Sequence, residues 1–508
     1  MRSFPPEAKS ARPNRLLISK ILSGISSLAN FKGRVTLTLP RRSIMAASLV
    51  SVICGVLILL APLSVGAQGE PPGEQKKLVI SVQDAIKGTL AVDNRIKESR
   101  AGVDARRAQK LQADSARWAQ LEANLFAGPS PESELISSSG TIVSKTKTGD
   151  LNINGVFGRA LVRVVQPIYT FGKISSFREA AARGVRVSEA AVDQTASEVT
   201  LQVQQFYYGA LLARDIREFL KGLREDLQKA LKTAERRVEA GSPAATFSDV
   251  YQLRSFVARI DKGIADAQEG YTLALDALRT ALQLEARVKF ELADKKLTPG
   301  KMDLKGIESY LQTAKELRPE FVQLKEGIKA REALVQAAIA DQYPVFYAAL
   351  LGDIAGASNR DRSQVPIITD PLKHTVGGVI VGLNWHFDFG ITQGRIDEAQ
   401  ADRMKLVHIQ DFAEQGIPLQ VRKAYANFRT AQKNIENTRR AYRNARRWLV
   451  TAVANIDLGI GDTTSLTQAF IAYTEFRVEN FRAVHDQRIA LANLSFATGE
   501  AVRQYPAR

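Results

Sequence analysis

Residues Tyr169-Thr-Phe-Gly-Lys173 precede a very long helical pattern, and the related stretch Phe387-Asp-Phe-Gly-Ile391 precedes another. Gly172 and Gly390 in these stretches lie 218 residues apart. The same spacing relates three further pairs: Val203 and Val421, Tyr207 and Tyr425, and Gly241 and Gly459. One spacing that is shared over so long a segment indicates an internal duplication.

The first half shows two strands followed by a long helix that turns back on itself. We expect a helix over 84–118, strands over 119–127 and 155–166 with a polar loop between them, a helix over 172–240 and a return helix over 249–284. Pro167 is expected to end the second strand, because proline has no amide hydrogen for a ladder. Ser248 and Asp249 are expected to cap the return helix.

The second half repeats this plan, after a stretch over 285–310 that has no single period. We expect a helix over 311–342, strands over 345–351 and 374–387, a helix over 390–458 and a return helix over 464–498. Pro344 is expected to stop the first of these helices. Pro418 predicts a kink in the long helix, since proline removes a helical hydrogen bond.

Both long helices carry a coiled-coil pattern. Apolar residues step by three and four at Ile216, Leu220, Leu223, Leu227, Ala230 and Ala234. The second helix has the same steps at Ile435, Thr438, Tyr442, Ala445, Leu449, Ala452 and Ile456. This period is typical of helices that pack along neighbouring helices. Each helix would be about 100 Å long, so we expect it to lie beside other rods.

The four predicted strands average about 10 residues, close to the 9–11 that a tilted strand needs to cross a bilayer. Residues expected to share a face are Leu121, Ala123 and Leu125; Arg159 and Arg163; and Val379, Val381, Leu383 and Trp385. Four strands cannot close a membrane barrel, since the smallest have about eight. Open edges in lipid would leave amides without partners. We therefore expect three copies to share a barrel of about 12 strands.

The chain has 508 residues and a formal net charge of +17. Residues 1–67 hold nine Lys or Arg and one Glu, and beyond them basic and acidic residues are interleaved. Such alternation is typical of solvated helical faces. We therefore do not expect a nucleic-acid partner.

Residues 1–67 have the order of a secretory signal peptide with a long basic n-region. The basic part ends at Arg41-Arg42, and small residues precede Gln68. A retained membrane anchor over 44–63 is the alternative, because the uncharged run approaches spanning length. The one cysteine of the chain, Cys54, lies in this run, so a cleaved protein would have no thiol chemistry. Residues 68–80 are expected to form a flexible leader.

Several motifs resemble those of the TolC-type outer membrane efflux proteins, or outer membrane factors. The motifs are Gln166-Pro-Ile-Tyr-Thr-Phe-Gly-Lys173, Gln342-Tyr-Pro344, Val381-Gly-Leu-Asn-Trp-His-Phe-Asp-Phe-Gly390, Gly394-Arg-Ile-Asp-Glu-Ala399 and Ala492-Asn-Leu-Ser-Phe-Ala-Thr-Gly499. The resemblance covers nearly all of the chain after residue 80. It implies a mainly α fold: a trimer with a β-barrel in the outer membrane, a long α-helical coiled-coil tunnel through the periplasm and a mixed region between them.

The resemblance also implies partners and sites. A periplasmic adaptor and an inner-membrane pump of the RND or ABC type would dock at the helical tips, and outer membrane lipid would surround the barrel. The candidate strand–helix junction residues are Pro167, Phe171, Gly172, Pro344, Phe389 and Gly390. The candidate tip residues, for the tunnel entrance and adaptor docking, are Gly241, Ser242, Asp249, Gly459, Gly461 and Asp462.

The resemblance also implies that the inner helix pairs narrow the lower entrance, often with acidic residues near the tips. In the matching region Asp462 is acidic, whereas Ser465 and Gln468 occupy positions where carboxylates are expected. At the junctions, we expect phenylalanine to pack and glycine to permit the turn; direct contact with cargo is the alternative role.

The sequence lacks the motifs of the common enzyme classes, including a phosphate loop, HExxH, CxxC and GxSxG. His386 and Asp388 stand two apart, which is too little for a metal site. We expect no enzyme activity, no cofactor and no metal.

We therefore predict a passive trimeric channel of a tripartite efflux or type I secretion system. Its expected divisions are a signal peptide over 1–67, a leader over 68–80, repeats over 81–300 and 301–499, and a tail over 500–508. The alternative is a periplasmic coiled-coil scaffold held by an uncleaved membrane anchor.

Overall fold

The computed structural model describes residues 78–132, 135–138, 141–144, 152–241, 246–360, 370–458, 460 and 463–506. The chain divides into Met1–Gly73 and Glu74–Arg508, and all the elements given below belong to the second unit. The predicted signal peptide lies outside the described residues, as do residues 68–77 of the predicted leader.

The first half contains short and long strands, two shorter helices and two long helices. Its elements are β1 (Leu78–Ile80), α1 (Val82–Val92), α2 (Asn94–Ser115), β2 (Gln120–Pro131), β3 (Leu135–Ser138), β4 (Thr141–Ser144), β5 (Ile153–Tyr169), α3 (Lys173–Glu239), α4 (Phe247–Ala281) and β6 (Phe290–Leu292). The end of the predicted leader is therefore a strand, because β1 pairs in parallel with β6.

The second half has the same order of strands and long helices. Its elements are α5 (Ile307–Leu317), α6 (Pro319–Ala340), β7 (Val345–Ala357), β8 (His374–Asn384), α7 (Ile391–Asp457), α8 (Thr463–Thr498) and α9 (Glu500–Gln504). The predicted C-terminal tail thus contains a short helix, in which Ala501 is buried.

The two predicted long helices are confirmed. α3 and α7 each have 67 residues, and both their first and their last residues are 218 positions apart. α7 stays helical through Pro418, so proline does not end it; the kink stays a prediction. Among the described residues, no helix has both the length and the apolar character needed to cross a bilayer.

Each long helix packs on its return helix along the predicted apolar positions. Leu223 and Leu227 of α3 form a buried cluster with Ile260 of α4. The predicted residue Ile435 of α7 is buried in another cluster, which also holds Ala483 and Val484 of α8. The predicted coiled-coil pattern therefore describes the contact within each helical hairpin.

Tyr207 of α3 and Tyr425 of α7 occupy corresponding positions, and both bind the segment between α4 and α5. The Tyr207 hydroxyl donates to Asp294 Oδ2 at 2.8 Å. The Tyr425 hydroxyl donates to the carbonyl oxygen of Lys305 at 3.2 Å. Burial of Tyr207 raises the pKa of its hydroxyl, so it stays a hydrogen-bond donor. The shared spacing of these residues therefore has a shared structural role.

Four strands form one antiparallel sheet in the order β2-β5-β7-β8. Within the described part of the chain, β2 and β8 each have a neighbour on one side in this sheet. β3 and β4 form a separate antiparallel pair inside the stretch that was expected to be a loop. That expectation was wrong because each short strand holds two apolar residues within the Ser/Thr-rich stretch, and Ile136 pairs with Val143 across the strands.

Several predicted boundaries were wrong at prolines. β2 runs on through Pro129 to Pro131; an edge strand tolerates proline because one side of it needs no donor. β5 continues past Pro167 to Tyr169, with a register shift between these residues. Such a bulge accommodates the missing donor. Away from any proline, β7 also runs beyond its expected end at Leu351 and ends at Ala357.

Helix breaks were also missed or misplaced. Asp93 separates α1 from α2, and its carboxylate accepts from the Arg95 amide at 2.8 Å. Arg318 separates α5 from α6, which begins with proline. The cap of α4 is Thr246, whose hydroxyl and the Asp249 carboxylate cap each other's amides. The expected cap at Ser248 was therefore wrong, although Asp249 does take part.

Candidate functional site

One face of the four-stranded sheet is uncharged. The ladder register aligns Leu121, Val164, Leu350 and Val379 in one row across the four strands. Val379 is 72% exposed and Leu121 is 70% exposed. Further members of the face are Ala123, Leu125, Val156, Ala160, Val162, Ile354, Val381 and Leu383. The predicted shared faces of β2 and β8 are confirmed, except that Trp385 lies beyond the end of β8.

The opposite face carries ion pairs. Arg159 binds Asp353 through two hydrogen bonds of 2.9 and 2.6 Å. His374 Nε2 lies 3.1 Å from Asp353 Oδ2. A second pair joins Arg163 to Glu122. The predicted shared face of the two arginines is confirmed, and their charges are neutralised by acids from neighbouring strands.

A sheet with one apolar and one charged face fits a boundary between hydrocarbon and water. The exposed apolar side chains could contact lipid, and the ion pairs could line an aqueous interior. The sequence did not single out Asp353 or His374. Asp353 was visible as a lone acid between Gly352 and Ile354 in an apolar strand, but pairing across strands requires the register.

The first strand–helix junction is packed by aromatic rings. Phe171 has a φ of 47° and Gly172 a φ of 89°. The Phe171 ring stacks on Tyr343 with 4.9 Å between centroids and meets Tyr169 edge-on at 4.7 Å. Lys173 Nζ lies 2.5 Å from Asp341 Oδ1. At this junction Phe171 thus contacts aromatic rings, and Gly172 adopts the positive φ of the turn.

The second junction has a different arrangement. Gly390 has a φ of 132°, and Phe389 is 99% exposed. Phe389 contacts Phe387 edge-on, with 5.9 Å between centroids. Among the described residues of its own chain, Phe389 therefore lacks a stacking partner such as Tyr343 provides for Phe171, and its packing at the junction stays a prediction. Pro344, by contrast, lies directly before β7, where a missing amide hydrogen costs no ladder bond.

Asp388 holds the start of α7 through Thr392. Its carboxylate accepts from the Thr392 amide at 2.9 Å and from the Thr392 hydroxyl at 2.6 Å. The hydrogen bonds from Thr392 lower the pKa of Asp388. The group is therefore an ionised helix cap.

Close to the first junction, α2 is tied to α3 by charge. Asp114 accepts from Lys110 at 2.6 Å and from Arg178 at 2.8 Å. The hydrogen bond from Lys110, followed by that from Arg178, lowers the pKa of Asp114 to about 2. This contact fixes the helix that enters the sheet against the helix that leaves it.

The first helical tip connects α3 to α4. Gly241 follows α3 with a φ of 68°, and Asp249 belongs to the capping box of α4. Ser242 lies outside the described residues. The structure thus brings Gly241 and Asp249 to one end of the same hairpin.

The second tip connects α7 to α8. Gly459, Gly461 and Asp462 lie outside the described residues. Leu458 and Ile460, which flank Gly459, are 74% and 76% exposed. Sequence reasoning did not select these two apolar residues, although an apolar residue on each side of a glycine in a turn was a visible signal.

An apolar cleft of about 790 Å³ lies among α3, α4, α7 and α8, near the helical tips. Its walls include Leu223 of α3, Phe256 of α4, Val453 of α7 and Phe470 of α8. The cleft was missed because its lining comes from positions far apart in the sequence.

The sequence model of the family described as outer membrane efflux protein matches residues 85–283 and 310–500. No curated protein matches the chain. The CusC channel structure is 16% identical, with a TM-score of 0.67 over 85% of this chain and 95% of that chain.

Two further crystal structures have the same fold. A membrane protein from Pseudomonas aeruginosa is 16% identical, with a TM-score of 0.68 over 84% of this chain and 92% of that chain. The outer membrane protein VceC from Vibrio cholerae is 14% identical, with a TM-score of 0.65 over 82% of this chain and 96% of that chain.

Proposed function

The chain belongs to the outer membrane efflux protein family, and on this premise we propose that three copies of it build a passive exit duct. The family consists of outer membrane channels that extend into the periplasm, and its members are not enzymes. The protein is accordingly an outer membrane efflux protein with a mainly helical fold.

The sheet carries the proposal of a shared barrel. One of its faces is uncharged and exposed, the other holds the ion pairs of Arg159 and Arg163, and β2 and β8 form its edges. Four strands are about half of the smallest membrane barrel. Pairing β8 of one copy with β2 of the next removes both edges, and three copies give about twelve strands.

The helices support the proposal of a tunnel. α3 and α7 have 67 residues each and so extend about 100 Å. In each chain, α8 contacts both α3 and α7, so the two hairpins lie side by side. Repeating this contact around a three-fold axis gives a wall of helices below the barrel.

The duct needs no chemistry of its own. Energy would come from an inner-membrane pump of the RND or ABC type, which a periplasmic adaptor connects to the helical tips. Within this proposal, Gly241, Ser242, Asp249, Gly459, Gly461 and Asp462 belong to the entrance and docking surface. Exposed turns are suited to such contacts.

We also propose the divisions of the chain. Residues 1–67 act as the signal peptide, and residues 81–300 and 301–499 are two structural repeats. The equal lengths of α3 and α7 support the repeats.

The test is purification of the protein from outer membranes in detergent, followed by light scattering and conductance measurements in planar bilayers. We expect a trimer that conducts without any added energy source. A monomer would contradict the shared barrel, and a trimer without conductance would contradict the duct.

A further inference from the structure

The duplicated long helices differ sharply in charge. Residues 415–456 of α7 contain nine Lys or Arg and one Glu. The corresponding residues 197–238 of α3 contain eight Lys or Arg and six Asp or Glu. The interleaving of charges that holds for the whole sequence therefore fails in this part of α7.

The nine basic residues of α7 are all exposed, and we call them the basic stripe. Its members are Arg422, Lys423, Arg429, Lys433, Arg439, Arg440, Arg443, Arg446 and Arg447. No ion pair with the basic stripe is found among the described residues. On α3, by contrast, basic residues pair with acids, as Arg217 does with Glu218 and Arg224 with Asp261. The basic stripe is therefore free to bind an acidic group.

The spacing of the basic stripe favours a helical ligand. Lys433, Arg440 and Arg447 are seven residues apart, as are Arg422 and Arg429. Heptad spacing keeps charges in a straight column along a supercoiled helix, beside the apolar contact, where charges select the partner. From Arg422 to Arg447 the stripe covers about 38 Å.

The apolar cleft adjoins the lower end of the stripe. Arg446 lines it together with Leu449 and Val453 of the same helix. An amphipathic helix could place apolar side chains in the cleft and acidic side chains against the arginines, which is a common mode of helix recognition.

The long helices of a second copy carry little net negative charge to match the stripe, since residues 197–238 of α3 have a net charge of +2. α4 contains four basic and five acidic residues, and α8 contains three of each. Two exposed acids of α4, Asp266 and Asp276, already pair with Lys262 and Arg279 of their own helix. Additional copies would mainly add positive charge.

We propose that the basic stripe and the adjoining cleft bind an acidic amphipathic helix of a partner protein. The inference deepens the proposed function, because it gives the chemistry of a docking partner and extends the docking surface above the tips. Ion pairs between exposed groups are weakened by salt, so this binding depends on ionic strength.

The test uses the purified trimer and a synthetic helix of about four heptads, with Leu at a and d and Glu at e and g. Its control is the same peptide with Lys at e and g. We expect the trimer to bind the Glu peptide but not the Lys peptide, as measured by fluorescence anisotropy. We expect this binding to weaken at high salt.

Two quadruple variants remove the same charge from different helices. R439Q/R443Q/R446Q/R447Q should weaken binding of the Glu peptide by about tenfold, since four exposed ion pairs are lost. K221Q/K229Q/K232Q/R236Q, on α3, should change it by less than about twofold. Equal loss in both variants, or equal binding of both peptides, would overturn the proposal.

Four further outcomes separate this inference from its alternatives. Dissociation of the α7 variant into monomers would overturn it and make the stripe an interface between copies. An altered ion selectivity in bilayers with unchanged peptide binding would overturn it in favour of anionic cargo. Conducting trimers that do not bind the Glu peptide overturn the stripe alone, whereas binding without conductance supports the stripe and counts against the duct.

Discussion

Phe171 and Phe389 occupy corresponding positions 218 residues apart, but only Phe171 stacks on a ring from another segment of its own chain. Phe171 is 37% exposed and stacks on Tyr343, whereas Phe389 is 99% exposed. A fully exposed phenylalanine at one of two duplicated junctions indicates a surface that another molecule covers. In the proposed trimer, that molecule is the neighbouring copy.

The first prediction concerns this pair. Phe171→Ala should lower the stability of the subunit by about 1–3 kcal/mol, because aromatic contacts and buried area are lost. Phe389→Ala should leave the isolated subunit unchanged and lower the temperature at which the trimer dissociates. Gel electrophoresis of the detergent-solubilised trimer over a temperature series measures both. Equal behaviour of the two variants would contradict this assignment.

The second prediction uses two adjacent residues of β8 that point to opposite faces. Val379→Arg puts a charge on the uncharged face, which should cost about 2–4 kcal/mol near the bilayer centre and reduce the amount of protein in the outer membrane. Ile380→Arg, on the face of the ion pairs, is the matched control and should insert normally. Normal insertion of both variants would exclude lipid contact by that face.

The third prediction concerns the turn into α3. Gly172 has a φ of 89°, so Gly172→Ala should destabilise the protein by about 1–2 kcal/mol. Gly184 lies inside α3, with no atom near the position of an added Cβ. Gly184→Ala should therefore stabilise by up to about 1 kcal/mol. Thermal melting followed by circular dichroism measures the two shifts, which must have opposite signs.

The fourth prediction concerns pH and the contact of α6 with α3. Glu326 is buried, and it accepts from Arg183 at 2.9 Å. Burial raises the pKa of Glu326, but the hydrogen bond and the charge of Arg183 lower it by a larger amount. The net pKa is therefore below the usual value. A lowered folded pKa means that the contact stabilises above the ordinary glutamate pKa of about 4.3. That stability is lost as the pH falls through the folded pKa.

The matched variants test this contact. Glu326→Gln should cost about 1–3 kcal/mol at pH 7, because a hydrogen bond to a charged group is lost, and little at low pH. Glu332 on the same helix pairs with Arg403 but is half-exposed, so Glu332→Gln should change stability by less than about 0.5 kcal/mol. Denaturant titrations at pH 7 and at pH 3 measure the loss in free energy of unfolding for each variant. If Glu326→Gln costs the same at both pH values, the ion pair does not contribute.

The fifth prediction concerns the second tip. Gly459→Trp and Asp462→Trp should reduce capture of the adaptor by about tenfold, as expected when a contact centre is blocked, while the trimer persists. Lys262→Trp is the control, since Lys262 is exposed on α4 about 20 Å from its tip. Unchanged capture by the tip variants would move the docking site elsewhere.

The long helices and the two-faced strands could be predicted from the sequence, because both depend on local periodicity. The apolar steps from Ile216 to Leu227 and the alternation from Val379 to Leu383 are each visible in one segment. The spacing of 218 residues then predicted matching ends for α3 and α7. Family membership, which the motifs indicated, is confirmed by the match over both halves.

Features that depend on register or on distant packing could not be predicted. Pro167 could be recognised as a strand breaker, but not as a bulge within a longer β5. The triad of Arg159, Asp353 and His374 needs three strands in register. The different environments of Phe171 and Phe389 depend on Tyr343, which precedes another strand.

The two edges of the sheet, at β2 and β8, have a genetic consequence. If three copies close the barrel as proposed, every subunit must offer a sound edge to both neighbours. A subunit whose β2 or β8 cannot pair with a neighbouring copy would then disable each trimer that it joins. With equal expression of intact and spoiled alleles, about one assembly in eight would contain intact copies alone, so such an allele would be dominant.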